Sequence, residues 1–109
     1  IIIFFSRIHV EDIANILFKS LTNFKTGEIF NISDDKPASS TEVTLYGAKI
    51  LNVDIPKKIE VDEITSEMMK NFYKDSKKVS NKKMKSILKV KLKYPTYKEG
   101  LRSLVNNYV

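Results

Sequence analysis

The chain has 109 residues, of which 42% are hydrophobic and 10% are aromatic, and these values suit one globular domain with a modest core. It contains no cysteine and one histidine, which excludes a disulfide framework, a cysteine nucleophile and a multi-histidine metal site. Lysine and arginine number 19 against 13 acids, a net charge of +6. Because most of the lysines are expected to form a solvated surface, nucleic acid is not the expected partner.

The longest uninterrupted apolar run is "IIIFF" at residues 1–5. It is too short for the core of a signal peptide or for a membrane span. We therefore expect a cytoplasmic protein without a membrane partner. Since the chain starts without methionine, in what reads as the middle of a strand, we also expect that its beginning is truncated.

The first part of the sequence reads as strand, helix, strand. Residues 1–9 are rich in β-branched and aromatic side chains, which predicts an extended segment. A helix is predicted from near residue 10 to before residue 27, because apolar residues recur at helical spacing: Ile13, Ile16, Leu17 and Leu21. Residues 28–33, "EIFNIS", read as a strand buried on both faces, and the "DDKP" that follows reads as a loop.

The second part reads mainly as helices. Ser39 and Glu42 have the spacing of a capping box, which predicts a helix that begins there. Residues 63–73 and 81–88 are predicted to be helical, with short extended pieces at "KKVS" and "VKLKYP". Thr96 and Glu99 form a second capping box and predict a closing helix. The predicted inner face of that helix consists of Leu101, Leu104, Val105 and Tyr108.

Four segments in order carry a resemblance to a known family. They are "FSRIHVEDIA", "GEIFNISDDKPASSTEV", "SKKVSNKKMKSIL" and "YPTYKEGLRSL". In this order and spacing they resemble the C-terminal, substrate-side portion of extended short-chain dehydrogenases/reductases, the NAD-dependent sugar-nucleotide epimerase/dehydratase family. The resemblance covers residues 5–108, nearly the whole chain.

The resemblance implies a fold class. We expect an α/β protein, mixed α+β as an isolated fragment, that is rich in helices and has two or three short strands. It would be the C-terminal part of a Rossmann-type epimerase without the cofactor-binding βαβ units. Residues 1–109 would form a single truncated domain, in which residues 1–38 are the seam with the missing cofactor lobe and residues 39–109 are mainly helical.

The cofactor-binding and catalytic motifs of that family are not found in this sequence. The three glycines, Gly27, Gly47 and Gly100, are too far apart for a GxGxxG loop or a P-loop. The family's catalytic YxxxK pair precedes the IHV segment, whereas the "YKDSK" at residues 73–77 follows it. We interpret "YKDSK" as a chance match and assign no catalytic, cofactor-binding or metal-binding residue.

The resemblance also implies candidate substrate-binding residues. An IHVxD segment ends a strand at the family's substrate cleft, which places Arg7 and His9 there, and the lysine-bearing segment places Lys78 and Asn81 on its rim. Family members that bind nucleotide sugars often carry an arginine and an acid just before this segment, where the chain has Phe5 and Ser6. Arg7 would lie on the same strand face as Phe5 and could serve a similar anion, or could form a surface ion pair.

For His9 and Lys78 the residues leave other roles open. A histidine at the end of a strand often satisfies local backbone groups. A lysine in a lysine-rich segment often belongs to a solvated face, although such a rim also attracts phosphorylated sugars.

The expected function follows from the resemblance. The chain would be the substrate-domain fragment of an NAD-dependent nucleotide-sugar epimerase/dehydratase, catalytically incomplete alone. NAD would belong to the parent protein and not to this chain, and a nucleotide sugar would bind only with the missing lobe. Expected partners are an upstream cofactor-domain polypeptide and further copies of the chain, because its apolar strands would leave unpaired edges. Two alternatives remain: a small basic nucleic-acid-binding module that uses the lysines of residues 77–93, and a non-catalytic interaction protein.

Overall fold

The structure, a computed structural model, describes residues 3–22, 27–57 and 65–108. Five helices follow one another along the chain. They are α1 (Val10–Thr22), α2 (Ser40–Leu51), α3 (Glu67–Phe72), α4 (Lys82–Leu88) and α5 (Tyr97–Tyr108). No helix in the described ranges is long and apolar enough to cross a membrane.

The expected α/β fold class is wrong. No strand or sheet forms in the part of the chain that the structure describes, and the only strand-like pairing there is an isolated antiparallel bridge between Phe5 and Ala38. The segments predicted as strands, residues 3–9 and 28–33, are non-helical, but their backbone groups bond to loops: Asp34 N–H donates to the Arg7 carbonyl (2.7 Å) and Lys77 N–H to the Phe4 carbonyl (2.7 Å). A β-rich composition forms a sheet only where another strand lies alongside. The domain is therefore helical and is not a Rossmann-type fragment.

The capping signals place helix starts correctly. Ser39 lies at the N-cap of α2, and its Oγ accepts the N–H of Glu42 (3.1 Å), as the capping box predicts. Before α5, Glu99 accepts the N–H of Thr96 (3.0 Å) and also contacts its hydroxyl. Helix α3 begins after its own N-cap, Ser66, so it is shorter than the predicted helix; the predicted residues 63 and 64 lie outside the described ranges.

A cluster of buried apolar side chains joins α1, α4 and the segment after α4. Ile16 of α1 packs with Met84 and Leu88 of α4, and Val90 and Leu92 complete the cluster. Val90, Leu92 and Tyr94 are buried, while the lysines between them are exposed. This alternation is the pattern of an extended segment with one face on a core.

A second contact joins α2 to α5. The rings of Tyr46 and Tyr97 meet edge to face with their centroids 5.8 Å apart, a preferred geometry for aromatic pairs. Phe5 stacks on Phe72 of α3 (4.5 Å between centroids) and has Tyr73 at its edge. The extended N-terminal segment therefore runs between α3 on one side and Ala38, just before α2, on the other.

A buried carboxylate ties the two ends of the domain together. Asp12, in the first turn of α1, is 1% exposed, and its two oxygens accept the backbone N–H groups of Lys93 (2.8 Å) and Tyr94 (3.0 Å). The neighbouring Glu11 accepts hydrogen bonds from the Lys93 ammonium and the Tyr94 hydroxyl, and the bond from Lys93 lowers the pKa of Glu11. The start of α1 is thereby joined to the segment that leads into α5.

One face of α1 remains open to solvent. The predicted apolar face of this helix is only partly right: Ile16 is buried, but Leu17 and Leu21 are 60% and 80% exposed. The open face of α1 consists of Val10, Ala14, Leu17, Phe18 and Leu21, all exposed. Val10, Ala14, Leu17 and Leu21 are separated by four, three and four positions, the spacing of a helix that packs along another element.

We expect Asp12→Ala to lower the free energy of unfolding by about 3 kcal/mol, because two buried backbone N–H groups lose their acceptor. Asp12→Asn keeps the volume and one acceptor oxygen, so it should cost about half as much. Urea unfolding at a fixed protein concentration measures both changes, with the exposed Asp75→Ala as control. Equal stability of the Asp12 and Asp75 variants would contradict this role.

Candidate functional site

A pocket of about 140 Å³ lies where the N-terminal segment meets α2 and α5. The extended segment supplies its polar residues, the loop before α2 supplies one acid, and the two helices supply most of its apolar surface. The lining residues are Arg7, Ile8, His9, Asp34, Val43, Thr96, Tyr97, Gly100, Leu101 and Leu104. Two of the four residues proposed from the sequence, Arg7 and His9, therefore lie at the same pocket.

Arg7 is held at one end of its guanidinium. Its Nη2 donates to the Ala38 carbonyl (3.1 Å), and its Cζ lies 5.9 Å from the centre of the Tyr97 ring. Its Nη1 is buried and has no hydrogen-bond partner among the described residues. A buried charged donor without an acceptor is costly, and in native structures it often indicates a bound water or ligand. The alternative role of Arg7, a surface ion pair, is not seen in the described part of the chain, where no acid lies within salt-bridge distance of Arg7.

His9 is positioned by local contacts. Its Nδ1 accepts the backbone N–H of Glu11 (3.1 Å), so the proton of the neutral ring resides on Nε2. The ring stacks on Tyr94 with 4.0 Å between centroids. His9 thus satisfies a backbone group at the start of α1 and also lines the pocket.

Gly100 makes room for this histidine. A Cβ at position 100 would lie 3.0 Å from His9 Cδ2, closer than ordinary van der Waals contact. Glycine in the first turns of α5 therefore lets that helix approach the imidazole.

Asp34 is the acid of the pocket lining, and it was not among the site residues proposed from the sequence. It is 5% exposed, and burial raises its pKa to about 6, although the hydrogen bond from the Lys36 N–H and the charge of Arg7 act in the opposite direction. In the sequence it belongs to "DDKP", where an acid pair before proline is typical of a turn. Only the packing of this loop against Arg7 distinguishes Asp34 from its exposed neighbour Asp35.

Lys78 and Asn81 do not line this pocket. The Lys78 ammonium lies 3.9 Å from the centre of the Phe4 ring, a cation–π contact. The Asn81 amide donates to the Ser33 carbonyl (3.0 Å) and to the Asp35 carboxylate (2.8 Å). Asn81 thus contacts Ser33 and Asp35, whereas Asp34 between them donates its backbone N–H to the Arg7 carbonyl. This loop therefore lies between Asn81 and Arg7.

No group of three or more histidine and acidic side chains that could hold a metal ion occurs in the described ranges. The pocket offers one guanidinium, one carboxyl, one imidazole and a phenol above an aliphatic wall. This arrangement suits the binding of a small group by hydrogen bonds and apolar contact.

Comparison with known proteins shows a similarity to a solved structure. No protein-family model matches the chain, and no curated protein matches it. Among solved structures, the chain is similar to a conserved protein of unknown function from Silicibacter pomeroyi DSS, with 37% identity and a TM-score of 0.91. The match covers 96% of this chain and 38% of that chain. The chain therefore spans well under half the length of the protein it resembles.

The pKa of Asp34 generates a stability prediction. A pKa raised from 3.8 to about 6 means that folding favours the protonated acid. This contribution to stability is fully present below pH 3.8 and is lost as the pH rises through 6. The natural chain should therefore lose about 2 kcal/mol of unfolding free energy, relative to Asp34→Asn, as the pH rises from about 4 to about 7. The variant does not lose it because asparagine cannot ionise.

Urea unfolding at the two pH values measures this difference, and Asp75→Asn, at an exposed acid, serves as the matched control. A carboxyl carbon titration by NMR gives the pKa directly. An Asp34 midpoint near 4 would contradict the prediction.

Proposed function

We propose that this chain is the substrate-side part of a longer protein of the NAD-dependent nucleotide-sugar epimerase/dehydratase class, and that it is catalytically incomplete alone. The enzyme class rests on the four ordered sequence segments. The observation that supports a longer parent protein is the open face of α1. The similar solved structure supports it too, since this chain matches only 38% of that chain. This proposal does not include a Rossmann-type fold for the chain itself.

The open face of α1 is the surface that the remaining polypeptide would cover. Val10, Phe18 and Leu21 are 71%, 66% and 80% exposed, and a contiguous exposed apolar patch marks an interaction surface. The similar structure contains further polypeptide outside the matched 38% of its chain. A polypeptide of that kind, joined to or associated with this chain, is the occupant to which we commit.

The radius of gyration agrees with an incomplete unit. It is 16.3 Å, whereas a compact domain of this length has about 13 Å. A part shaped by a larger assembly does not need to be compact by itself.

The lysines favour this proposal over the nucleic-acid module. Within residues 77–93, three lysines form ion pairs with acids: Lys83 with Glu28 (2.6 Å), Lys85 with Asp35 (2.5 Å) and Lys93 with Glu11 (3.1 Å). Acids interspersed among the lysines weaken the continuous positive field that phosphate backbones require.

The coding sequence that adjoins this chain tests the enzyme class. We expect it to encode a GxGxxG loop after a predicted strand and, further on, a YxxxK pair. Adjoining sequence that is unrelated to this family would overturn the proposal.

The chain alone should bind no NAD. Pyrophosphate binding needs close backbone approach at a glycine-rich turn and free amides at a helix start, and the glycines of this sequence are too widely spaced for such a turn. Isothermal titration calorimetry with NAD should show no saturable heat. A micromolar NAD site on this chain would show that the assignment as the substrate-side part is wrong.

Without its covering polypeptide, the chain should associate with itself through the open face of α1. Light scattering over a concentration series should show a mass that rises with concentration. Leu17→Glu places a charge in that face and should raise the dissociation constant of the dimer about tenfold or more. Asn106→Glu adds the same charge at an exposed position of α5 and should have little effect. A strictly monomeric chain, or equal effects of the two substitutions, would contradict this role of α1.

A further inference from the structure

Residues 28–33 form an extended segment that lies on the core. They run without a helix, turn or bend. The side chains of Phe30 and Ile32 pack against the buried cluster of α1 and α4, whereas Ile29 is 80% exposed and Asn31 is exposed as well. This alternation places one side-chain face of the segment on the core and the other face in solvent.

One backbone edge of this segment faces α4. In an extended chain the N–H and C=O groups of one residue point to the same edge, and those of the next residue point to the opposite edge. The Ile29 carbonyl accepts a hydrogen bond from the Lys83 ammonium (2.9 Å). The Ser33 carbonyl accepts one from the Asn81 side-chain amide (3.0 Å). Because Lys83 belongs to α4 and Asn81 is its N-cap, the backbone groups of residues 29, 31 and 33 point toward that helix.

The other backbone edge has no partner in the described part of the chain. This open edge consists of the N–H and C=O groups of Glu28, Phe30 and Ile32, and none of them hydrogen-bonds to a residue that the structure describes. A row of unpaired backbone groups on an apolar segment is a template for pairing with another extended chain. A helix does not satisfy such a row, because its own backbone groups are bonded to each other.

We propose that the open edge pairs with an extended segment of the remaining polypeptide of the longer protein, through backbone hydrogen bonds to Glu28, Phe30 and Ile32. The choice of occupant rests on the proposed function, since both belong to the same longer protein. More than half of the similar solved chain lies outside its match to this chain, so further polypeptide is present there. The fold of this chain itself stays helical, and strand pairing forms only across the interface.

The pairing is separate from the contact proposed for the open face of α1. That contact covers exposed side chains, whereas pairing at the open edge uses backbone groups at a spacing of two residues. Side chains of paired strands that lie on the same face contact one another. The occupant should therefore carry an apolar side chain beside the exposed Ile29 and others beside Phe30 and Ile32, which makes it a short, continuously apolar strand.

Amide hydrogen exchange, followed residue by residue by NMR, tests the pairing. The isolated chain is compared with the full-length protein encoded by the reading frame that contains it. In the isolated chain the amides of residues 28, 30 and 32 should exchange fast, because they are unbonded. In the longer protein they should exchange about 100-fold more slowly, while the amides of residues 29 and 31, at the other edge, should change less than about threefold.

Four results would overturn the proposal. Unchanged exchange at residues 28, 30 and 32 would leave a solvated edge. Equal slowing at residues 29 and 31 would show general burial in place of pairing. Slowing in the isolated chain that grows with protein concentration would assign the edge to a second copy. A reading frame that encodes no further polypeptide would remove the occupant.

Two substitutions at position 28 separate the backbone bond from the side-chain contact. Glu28→Pro removes an N–H of the open edge together with the ion pair between Glu28 and Lys83 (2.6 Å), whereas Glu28→Ala removes only the ion pair. In the longer protein, Glu28→Pro should speed exchange at residues 30 and 32 about fivefold, and Glu28→Ala less than about twofold. Equal effects would contradict the pairing. If Glu28→Pro does not fold, the exchange pattern at alternate residues decides the result alone.

The outcomes are distinguishable from those of the proposed function. Slowing at alternate residues in a longer protein whose adjoining sequence is unrelated to the family would leave the pairing assigned and the enzyme class rejected. Unchanged exchange beside a GxGxxG and YxxxK reading frame would reject the pairing and keep the class.

Discussion

The fold depends on the carboxylate of Asp12. Its two oxygens hold consecutive backbone N–H groups of the segment before α5, at 2.8 and 3.0 Å, inside a site that is 1% exposed. Helix α1 lies near the start of the chain and α5 near its end, so this side chain joins the first part of the domain to the last. The buried Asp12 carboxyl is tolerated because two backbone N–H groups donate to it. The carboxyl group without these donors, or the N–H groups without this acceptor, would be costly to bury. The stacking of His9 on Tyr94 follows, since Asp12 fixes the backbone of Tyr94.

Backbone hydrogen bonds between extended segments then build the pocket. Phe5 pairs with Ala38, Asp34 bonds to Arg7, and Asp35 bonds to the Pro95 carbonyl (2.8 Å). These contacts bring together three parts of the chain that are far apart in sequence. The Arg7 guanidinium is aligned in the same way, because its Nη2 uses the Ala38 carbonyl. The pocket therefore forms where these non-helical segments hydrogen-bond to one another, and helices α2 and α5 supply most of its apolar lining.

The sequence predicted local features better than the arrangement of the chain. The starts of α2 and α5 were readable because a capping box is a contact between residues three positions apart. The expected strands did not form because strand pairing is non-local: residues 28–33 have a strand-like composition, but no strand lies beside them in the part of the chain that the structure describes. Along α1 the apolar spacing predicted a helix correctly, but it could not tell Ile16, which packs with Met84 and Leu88 of α4, from Leu17 and Leu21, which are exposed.

The same distinction applies to the site. Arg7 and His9 stood out from the sequence because they interrupt an apolar segment just before a helix, and they share a pocket. Asp34 gave no such signal, since its burial comes from contact with a segment about 27 positions earlier. Lys78 and Asn81 were chosen by family resemblance; Lys78 contacts Phe4, and Asn81 bonds to Ser33 and Asp35, none of which lines the pocket.

The open face of α1 and the pocket are adjacent in the chain, and this adjacency links them physically. Val10 begins the open face and directly follows His9 of the pocket wall. The His9 ring accepts the N–H of Glu11 within the first turn of the same helix. A polypeptide that packs on the open face would hold this turn in place, and with it the imidazole and the backbone that carries Arg7. Because a packed helix moves as a rigid element, covering α1 and ordering the pocket are expected to reinforce each other.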